Sequence, residues 1–423
     1  MPPEPVPVRF PRHRFINPGV ASGGVGVSSA AMAAERINDR LVSWASDLEP
    51  NTRLQAERTA RLPIVGGHVA IMADAHLGLG ATVGSVVPTE GAIIPACVGV
   101  DIGCGMAAVQ TDLRADDLPD TLDPMLGGIE RAIPAGVGQG HRTADRPASE
   151  WLHAHQPRTT LDSKQRRRAL QQAGTLGSGN HFVEVCLDED DAVWLVLHSG
   201  SRGIGNQLAQ SHIAEAKAVA KRLDLALEDP ALAYLLEDTP EFDHYIADLL
   251  WAQDYARLNR ELMVEAALPV LFGAVSDAGG PPGREVQRIS CHHNYSAREV
   301  HGGRELWVTR KGAIRAGVGE LGIIPGSMGT KSYIVEGTGS AESFASCSHG
   351  AGRRMSRNQA RRNLSAESLE RAMGDRTWLR DRSRRLVDEH PKAYKNIDQV
   401  MADQQDLVSV RHTLRQVLNY KGT

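Results

Sequence analysis

The chain has 423 residues, 47 Lys and Arg against 51 Asp and Glu, and 41% hydrophobic residues, a balance that can bury one large core or two ordinary ones and excludes wholesale disorder. No run of about 18 apolar residues is present, which excludes a hydrophobic membrane-spanning helix, and a net charge of -4 argues against a generic nucleic-acid binder while allowing a local basic face. Five cysteines are too sparse, and odd in number, to staple a chain of this length, so one with a role is better read as a thiolate ligand than as half of a disulfide.

Residues 1–29 are rich in Pro, Gly and Ser without periodicity and read as a poorly specified N-terminal arm. They open on MPPEPVPVRFPRHRF, with Pro and Arg where a secretory leader has its apolar stretch, so a cytoplasmic address is expected. From Ala30 to Ala60 the pattern predicts helix. Between Leu62 and Thr111, short apolar runs broken by Gly every few residues predict strands joined by tight turns. The polar stretch near 141–168 (HRTADRPASEWLHAHQPRTTLDSKQRRR) predicts a surface insertion. Ala192 to Leu197 (AVWLVL) has a buried-strand pattern that ends at His198, and two acid-rich helices are expected over roughly 213–268. Two more β-type runs follow, ELWVTRKGAIRA and TKSYIVEGTG. Between Arg353 and Arg385 eleven Arg stand against four acids on an apparently helical stretch, either a solvated face or a surface that tracks phosphates. The class expected is α+β: one large domain over 30–423, built on mixed sheets with surrounding helices and no clean linker.

Several residues sit in chemically pointed settings. Asp101 and Cys104 lie three apart in VGVDIGCGM, a carboxylate and a thiolate in a Gly-rich turn that can close around an ion. His181 follows Asn180 in GTLGSGNHFVEV, His198 ends a strand, and His293 lies in CHHNY beside Asn294. Thiolate, carboxylate and imidazole together suit Mn²⁺, Zn²⁺, Fe²⁺ or Co²⁺, and a cysteine bridging two ions would suit phosphoryl transfer. Taken singly, each His is more often a packing residue than a ligand.

A second constellation is built for anions. IPGSMGTKS and CSHGAGRRMSR place small residues where successive backbone N–H groups can face one phosphate, and Lys331, Arg353, Arg354 and Arg357 add charge. Neither fits the GxxxxGK[ST] spacing, which argues against an ordinary Walker nucleotide fold. His349 stands between Ser348 and Gly350 without bulky neighbours; its imidazole either attacks phosphorus or caps and bonds a phosphate. The residues themselves lead as far as metal plus phosphate chemistry.

The motifs MADAHLGLGATVGSVVPTEGAIIPACVGVDIGCGM, GTLGSGNHFVEV, VLHSGSRGIGN, CHHNY, VTRKGA, GIIPGSMGTKSYIVEG, SCSHGAGRRMSR, AYKNIDQVM and LNYKG run in order from Met72 to Gly422, and with them the chain resembles the RtcB-type RNA ligases. The resemblance implies a single catalytic domain of a fold peculiar to that family. It implies joining of 3′-phosphate or 2′,3′-cyclic phosphate RNA ends to 5′-hydroxyl ends, in tRNA splicing or RNA repair, with two Mn²⁺ ions and GTP. Carried over by motif, Cys104 would bridge the ions and Asp101, His181, His198 and His293 would complete their shells. His292 is a rival ligand that the HN dipeptide disfavours. His349 would take GMP from GTP. Asn180 and Asn294 would contact the guanylate phosphates, and Glu184, Pro325, Ser327, Ser332, Gly350, Ala351, Gly352, Tyr394 and Lys421 would frame the nucleotide. Asp74, His76, Arg202, Lys311, Arg353 and Arg357 would support the metals or contact the RNA end. A monomer, with an archease-like activating partner, is the implied assembly. Two rivals remain at this point: a metal-dependent phosphodiesterase that opens cyclic phosphates without ligation, and a non-catalytic RNA-end binding protein.

Overall fold

The computed structural model describes residues 34–422, and the arm expected over 1–29 lies outside them. In the strand Gly105–Arg114, Met106 and Ala108 face one side and Ala107 and Val109 the other, and all four are buried. A period-2 strand with both faces buried needs cover on each side. On one side Val109, Val185 and Leu195 pack against the helix Asp123–Ala132 and the long helix Pro240–Asp277; on the other Met106, Trp194 and Val196 pack against Ile289, Ile323 and Leu414.

Two sheets dominate. The first runs Glu35–Asn38, Leu41–Ser43, Val69–His76, Val83–Thr89, Arg304–Lys311, Asn294–His301. The second runs Glu285–His292, Gly105–Arg114, Ala192–Ser199, Phe182–Leu187, Val408–Lys421, Lys331–Gly337, Leu321–Ile324, with Thr377–Trp378 paired in parallel beside Val408–Lys421. The strands Glu285–His292 and Asn294–His301 belong to different sheets, so His293 is the residue at which the chain crosses between them. The class is α+β, as expected.

Where sequence and structure differ, packing decides. The helix expected over 30–60 is, among the described residues, an antiparallel strand pair, Glu35–Asn38 with Leu41–Ser43, and only then the helix Pro50–Ala60. Leu41 and Val42 are fully buried and pair in parallel with Val69 and Ala70, so sheet contacts override the local preference, and Pro50 sets the helix start. The polar stretch near 141–168 forms the helices Arg146–Ala154 and Ser163–Gln172, the second extending past the stretch; Ala148, Leu152 and Ala169 are buried while the charged side chains face outward. The two acid-rich helices are Arg202–Arg222 and Pro240–Asp277, longer than expected at both ends. The arginine-rich segment is broken into short pieces, Arg357–Asn363, Ala366–Met373 and Ser383–Leu386. No helix among the described residues is long and apolar enough to cross a membrane.

Candidate active site

Register in the second sheet gathers the sulfur and imidazole groups. Gly105 pairs with Ser199 on one side and His292 on the other, and Phe182 pairs with His198. Cys104, His181, His198 and His293 therefore converge at one end of four neighbouring strands. Cys104 Sγ lies 3.4 Å from His181 Nε2 and 3.2 Å from His198 Nε2. His198 Nε2 lies 3.2 Å from His293 Nε2, and Asp101 Oδ2 lies 3.1 Å from His181 Nε2. Glycine at 200 is what admits Asp101: a Cβ there would stand 2.2 Å from Asp101 Oδ1, which instead accepts a hydrogen bond from the Ser201 amide. His292 faces the other way, its Nδ1 2.8 Å from Gly103 O and 3.3 Å from the Arg260 guanidinium.

The donor set fits a divalent transition metal. The Leu176 carbonyl lies 2.8 Å from His181 Nδ1 and the Asn180 carbonyl 3.3 Å from His198 Nδ1. A carbonyl only accepts, so each Nδ1 carries a proton and each Nε2 is directed at Cys104. Burial and then the Asp101 carboxylate push the Cys104 thiol well above its ordinary range, and burial and neighbouring imidazoles hold His198 and His293 well below theirs. Without a cation these are a neutral thiol and neutral imidazoles with converging lone pairs; a bound divalent ion favours the thiolate and resolves the repulsion.

His349 faces this cluster from a separate two-stranded sheet, Ala313–Arg315 with Ser346–Ser348. It follows Ser346–Ser348, and its ring centroid is 4.8 Å from that of His293. Asp74, fully buried on Val69–His76, places Oδ2 2.6 Å from His349 Nδ1 and accepts from the His349 amide at 3.3 Å. Gly352 permits this docking: its φ is +69°, and a Cβ would meet Asp74 O at 2.0 Å.

A cavity of about 840 Å³ opens between the two groups. Asp101, Cys104, His198, His293 and His349 line it, with Asn180, Glu184, Asn294, Lys311 and His76. Pro325, Ser327, Gly350, Ala351 and Gly352 form one wall, and Arg353, Arg357, Tyr394 and Lys421 another. Four expected residues stand off the cavity. Asp74 and His181 lie behind His349 and Cys104, as described. Arg202 donates from Nε to Thr175 Oγ1 at 3.0 Å, and Ser332 Oγ accepts from the Gly326 amide at 3.3 Å, organising the loop that carries Ser327. Lys311 donates to the Ala96 carbonyl at 2.9 Å, and burial lowers its pKa to about 8; burial likewise takes His76 down to about 4.

The C-terminal strand completes the floor. Lys421 pairs with Phe182 and Asn419 with Glu184, so the last described strand runs under the cavity. Burial pushes Glu184 up to about 8, against the opposing effects of Lys421 and of Asn419, whose amide donates to it at 2.6 Å. Sequence reasoning missed Glu389. Its buried carboxylate holds Lys421 Nζ at 3.0 Å, the Tyr394 hydroxyl at 2.8 Å and Arg357 at 2.5 Å, with Arg353 at 3.5 Å. The signal was the Asp388–Glu389 pair closing a run of arginines that need counter-charge. Also missed was a wall from Arg202–Arg222, contributing Gln210, Ile213, Ala214 and Lys217.

The family described as tRNA-splicing ligase RtcB matches residues 55–422, almost the whole described chain. This chain belongs to the RtcB family. The RNA-splicing ligase RtcB of Escherichia coli is 46% identical over 389 residues, covering 89% of this chain and 95% of that protein. The RNA-splicing ligase RtcB of Mycobacterium tuberculosis is 32% identical over 82% of this chain and 95% of its own length. The tRNA-splicing ligase RtcB of Nanoarchaeum equitans is 28% identical over 84% and 87%. The RtcB match takes in every residue placed on the cavity and all of both sheets except the strands Glu35–Asn38 and Leu41–Ser43.

Proposed function

We propose that this cavity ligates RNA, joining a 3′-phosphate or 2′,3′-cyclic phosphate end to a 5′-hydroxyl end, with GTP consumed and His349 carrying GMP between the two. Family membership supports the ligase class, and one observation carries the finer reading: an imidazole backed by a buried carboxylate faces a thiol–imidazole cluster on a cavity of nucleotide size. The Asp74 carboxylate accepts from the His349 amide and stands 2.6 Å from Nδ1, which sets the ring with Nε2 as the nucleophile. Nε2 attacks the α-phosphorus of GTP, and the bond to pyrophosphate breaks. The RNA 3′-phosphate then attacks that phosphorus and displaces the imidazole, giving an RNA–ppG end. The 5′-hydroxyl attacks the RNA phosphate and GMP leaves.

Cys104, Asp101, His181, His198 and His293 are the residues that would hold a Mn²⁺ pair, which would supply charge neutralisation at phosphorus and activation of water for opening a cyclic end. Lys421 and Tyr394, tied together by Glu389, close the guanosine side with Glu184, and the backbone of Gly350–Gly352 faces the phosphates. Arg357, tied to Asp388 and Glu389 through Nη1, turns the rest of its guanidinium to the terminal phosphate, while Arg353, engaged with Met355, Tyr394, Glu389 and Asp388, braces that wall. The reading brings with it an RNA substrate, a cytoplasmic setting, a monomer and an archease-like activator. A cyclic phosphodiesterase would need the metal ligands but not the paired His349 and Asp74. Incubation with α-labelled GTP and Mn²⁺ tests the reading: wild type takes up label on the protein and His349→Ala takes up none. Label on the variant would make another residue the nucleophile.

A further inference from the structure

On the far side of the helix Arg202–Arg222 from the cavity, a second group of ligand-type side chains is packed together. His212 and Glu215 are three apart on that helix, and His244 and Asp248 four apart on Pro240–Asp277, so each pair shares a helix face. Asp248 Oδ2 lies 2.8 Å from His212 Nε2 and 3.4 Å from His244 Nε2. The side chains of His212 and Asp248 are 2% and 1% exposed, and that of His244 is 35% exposed, which leaves one open approach. The rings of His212 and His244 stand at right angles with centroids 4.9 Å apart.

Hydrogen bonding decides what sits at the centre. Glu215 Oε2 lies 3.1 Å from His212 Nδ1 and accepts a hydrogen bond from it, which fixes the ring with Nε2 aimed at the buried Asp248 carboxylate. Thr159 adds its hydroxyl, 2.5 Å from Asp248 Oδ2 and 2.9 Å from His244 Nε2, and its amide donates to Asp248 Oδ1 at 2.9 Å. Two imidazole nitrogens, a carboxylate oxygen and a hydroxyl thus converge on one point, and an outer carboxylate orients one imidazole. Two imidazoles and a carboxylate are ligands that zinc takes, and its bonds of about 2.0 to 2.2 Å place ligand atoms roughly 3.4 Å apart, the separation of Asp248 Oδ2 from His244 Nε2.

We propose that His212, His244 and Asp248 form a zinc site separate from the Cys104 cluster, with Glu215 orienting His212 and Thr159 or a water completing the shell. The ion clamps three segments: the helix that walls the cavity through Gln210, Ile213 and Lys217, the long helix, and the strap around Thr159. It takes a nitrogen- and oxygen-liganded ion with no thiolate, which separates it chemically from the cluster at Cys104.

The test uses the full chain, stripped with chelator, reloaded with Zn²⁺ alone and desalted. Zinc per chain is compared in wild type, His244→Ala and Cys104→Ala. The proposal expects His244→Ala to bind one equivalent fewer than wild type, and Cys104→Ala to retain the equivalent that His244→Ala loses. Reloading with Co²⁺ adds a spectroscopic arm: the thiolate-to-cobalt band persists in His244→Ala and disappears in Cys104→Ala. Crystals of the zinc-loaded wild type, needing no variant to fold, should show an anomalous zinc peak among His212, His244 and Asp248. Equal zinc in wild type and His244→Ala, or no peak at this position, overturns the proposal and leaves the cluster closed by protons and the Thr159 hydroxyl. Neither result bears on guanylylation of His349.

Discussion

Replacing Glu389 with Gln removes one negative charge from a buried knot while keeping its shape. In the native protein Glu389 lies 3.0 Å from Lys421 Nζ, 2.5 Å from Arg357 and 3.5 Å from Arg353. Arg357 keeps Asp388 at 2.6 Å, but Lys421 keeps no carboxylate in contact, just the Asn180 carbonyl at 3.1 Å and the face of the Phe182 ring. The loss is therefore borne chiefly by Lys421, whose side chain is 6% exposed. Breaking a buried pair by removing one partner costs about 3 kcal/mol or somewhat more. With an unfolding entropy of ~2.1 cal/mol/K per residue, a domain of this size turns that cost into a fall in Tm of roughly 4 °C.

The pH dependence sharpens the test. Burial alone would raise Glu389, but Lys421, Arg357 and Arg353 outweigh it and hold the carboxyl below its ordinary value. A depressed carboxylate contributes stability that is present above the unfolded pKa of about 4.5 and is lost as pH falls through the folded value. Thermal melts of wild type and Glu389→Gln from pH 8 down to about pH 2 should thus differ most at neutral pH and converge in acid, below the depressed folded value. GMP transfer should fall at least about tenfold, because Lys421 and Tyr394 lose their common anchor, an effect near 1.4 kcal/mol or more on the barrier. A Tm within 1 °C of wild type at neutral pH, or a difference independent of pH, would refute the reasoning.

Three further outcomes follow from the same geometry. Cys104→Ser should lose most of its bound Mn²⁺, read as metal per chain after desalting, because a serine hydroxyl is a poor replacement for a thiolate between imidazoles; an intact metal complement would remove Cys104 from the site. Glu184 is raised to about 8, so the folded protein binds a proton that the unfolded chain releases near 4.5, and stability falls as pH rises between these values; Glu184→Gln should flatten that slope in denaturant titrations, and an unchanged slope would deny the burial effect. Arg362, Arg384 and Arg385 are exposed, and replacing them together should reduce the salt dependence of RNA affinity by about 0.7 per lost contact; an unchanged slope would return the segment to a solvated face.

The motifs of the site were legible in the sequence, while their arrangement depended on contacts no local pattern encodes. His292 and His293 are neighbours with the same chemistry, and only the crossing between sheets at His293 turns one imidazole to His198 and the other to Gly103. Glu389 was invisible as a site residue because its partners Arg357 and Lys421 lie 32 positions before and after it. The arginine-rich run, read as one face, is divided by its counter-charges: Arg353 and Arg357 turn inward to Glu389, and Arg382 binds Glu130. At the N-terminal end, alanines predicted helix for a stretch in which Leu41 and Val42 had strand partners waiting at Val69 and Ala70.

The central claim is that His349 Nε2 accepts GMP with Asp74 beside the other nitrogen, and mapping the adduct tests it most directly. After incubation with GTP and Mn²⁺, mass spectrometry of peptides prepared in alkali should place a single GMP on the peptide carrying His349. The adduct should vanish in acid and survive base, as a phosphoramidate does. His349→Ala should form none, yet should still join RNA already bearing a 3′-ppG end. GMP on any other residue, or an adduct stable to acid, would contradict the account.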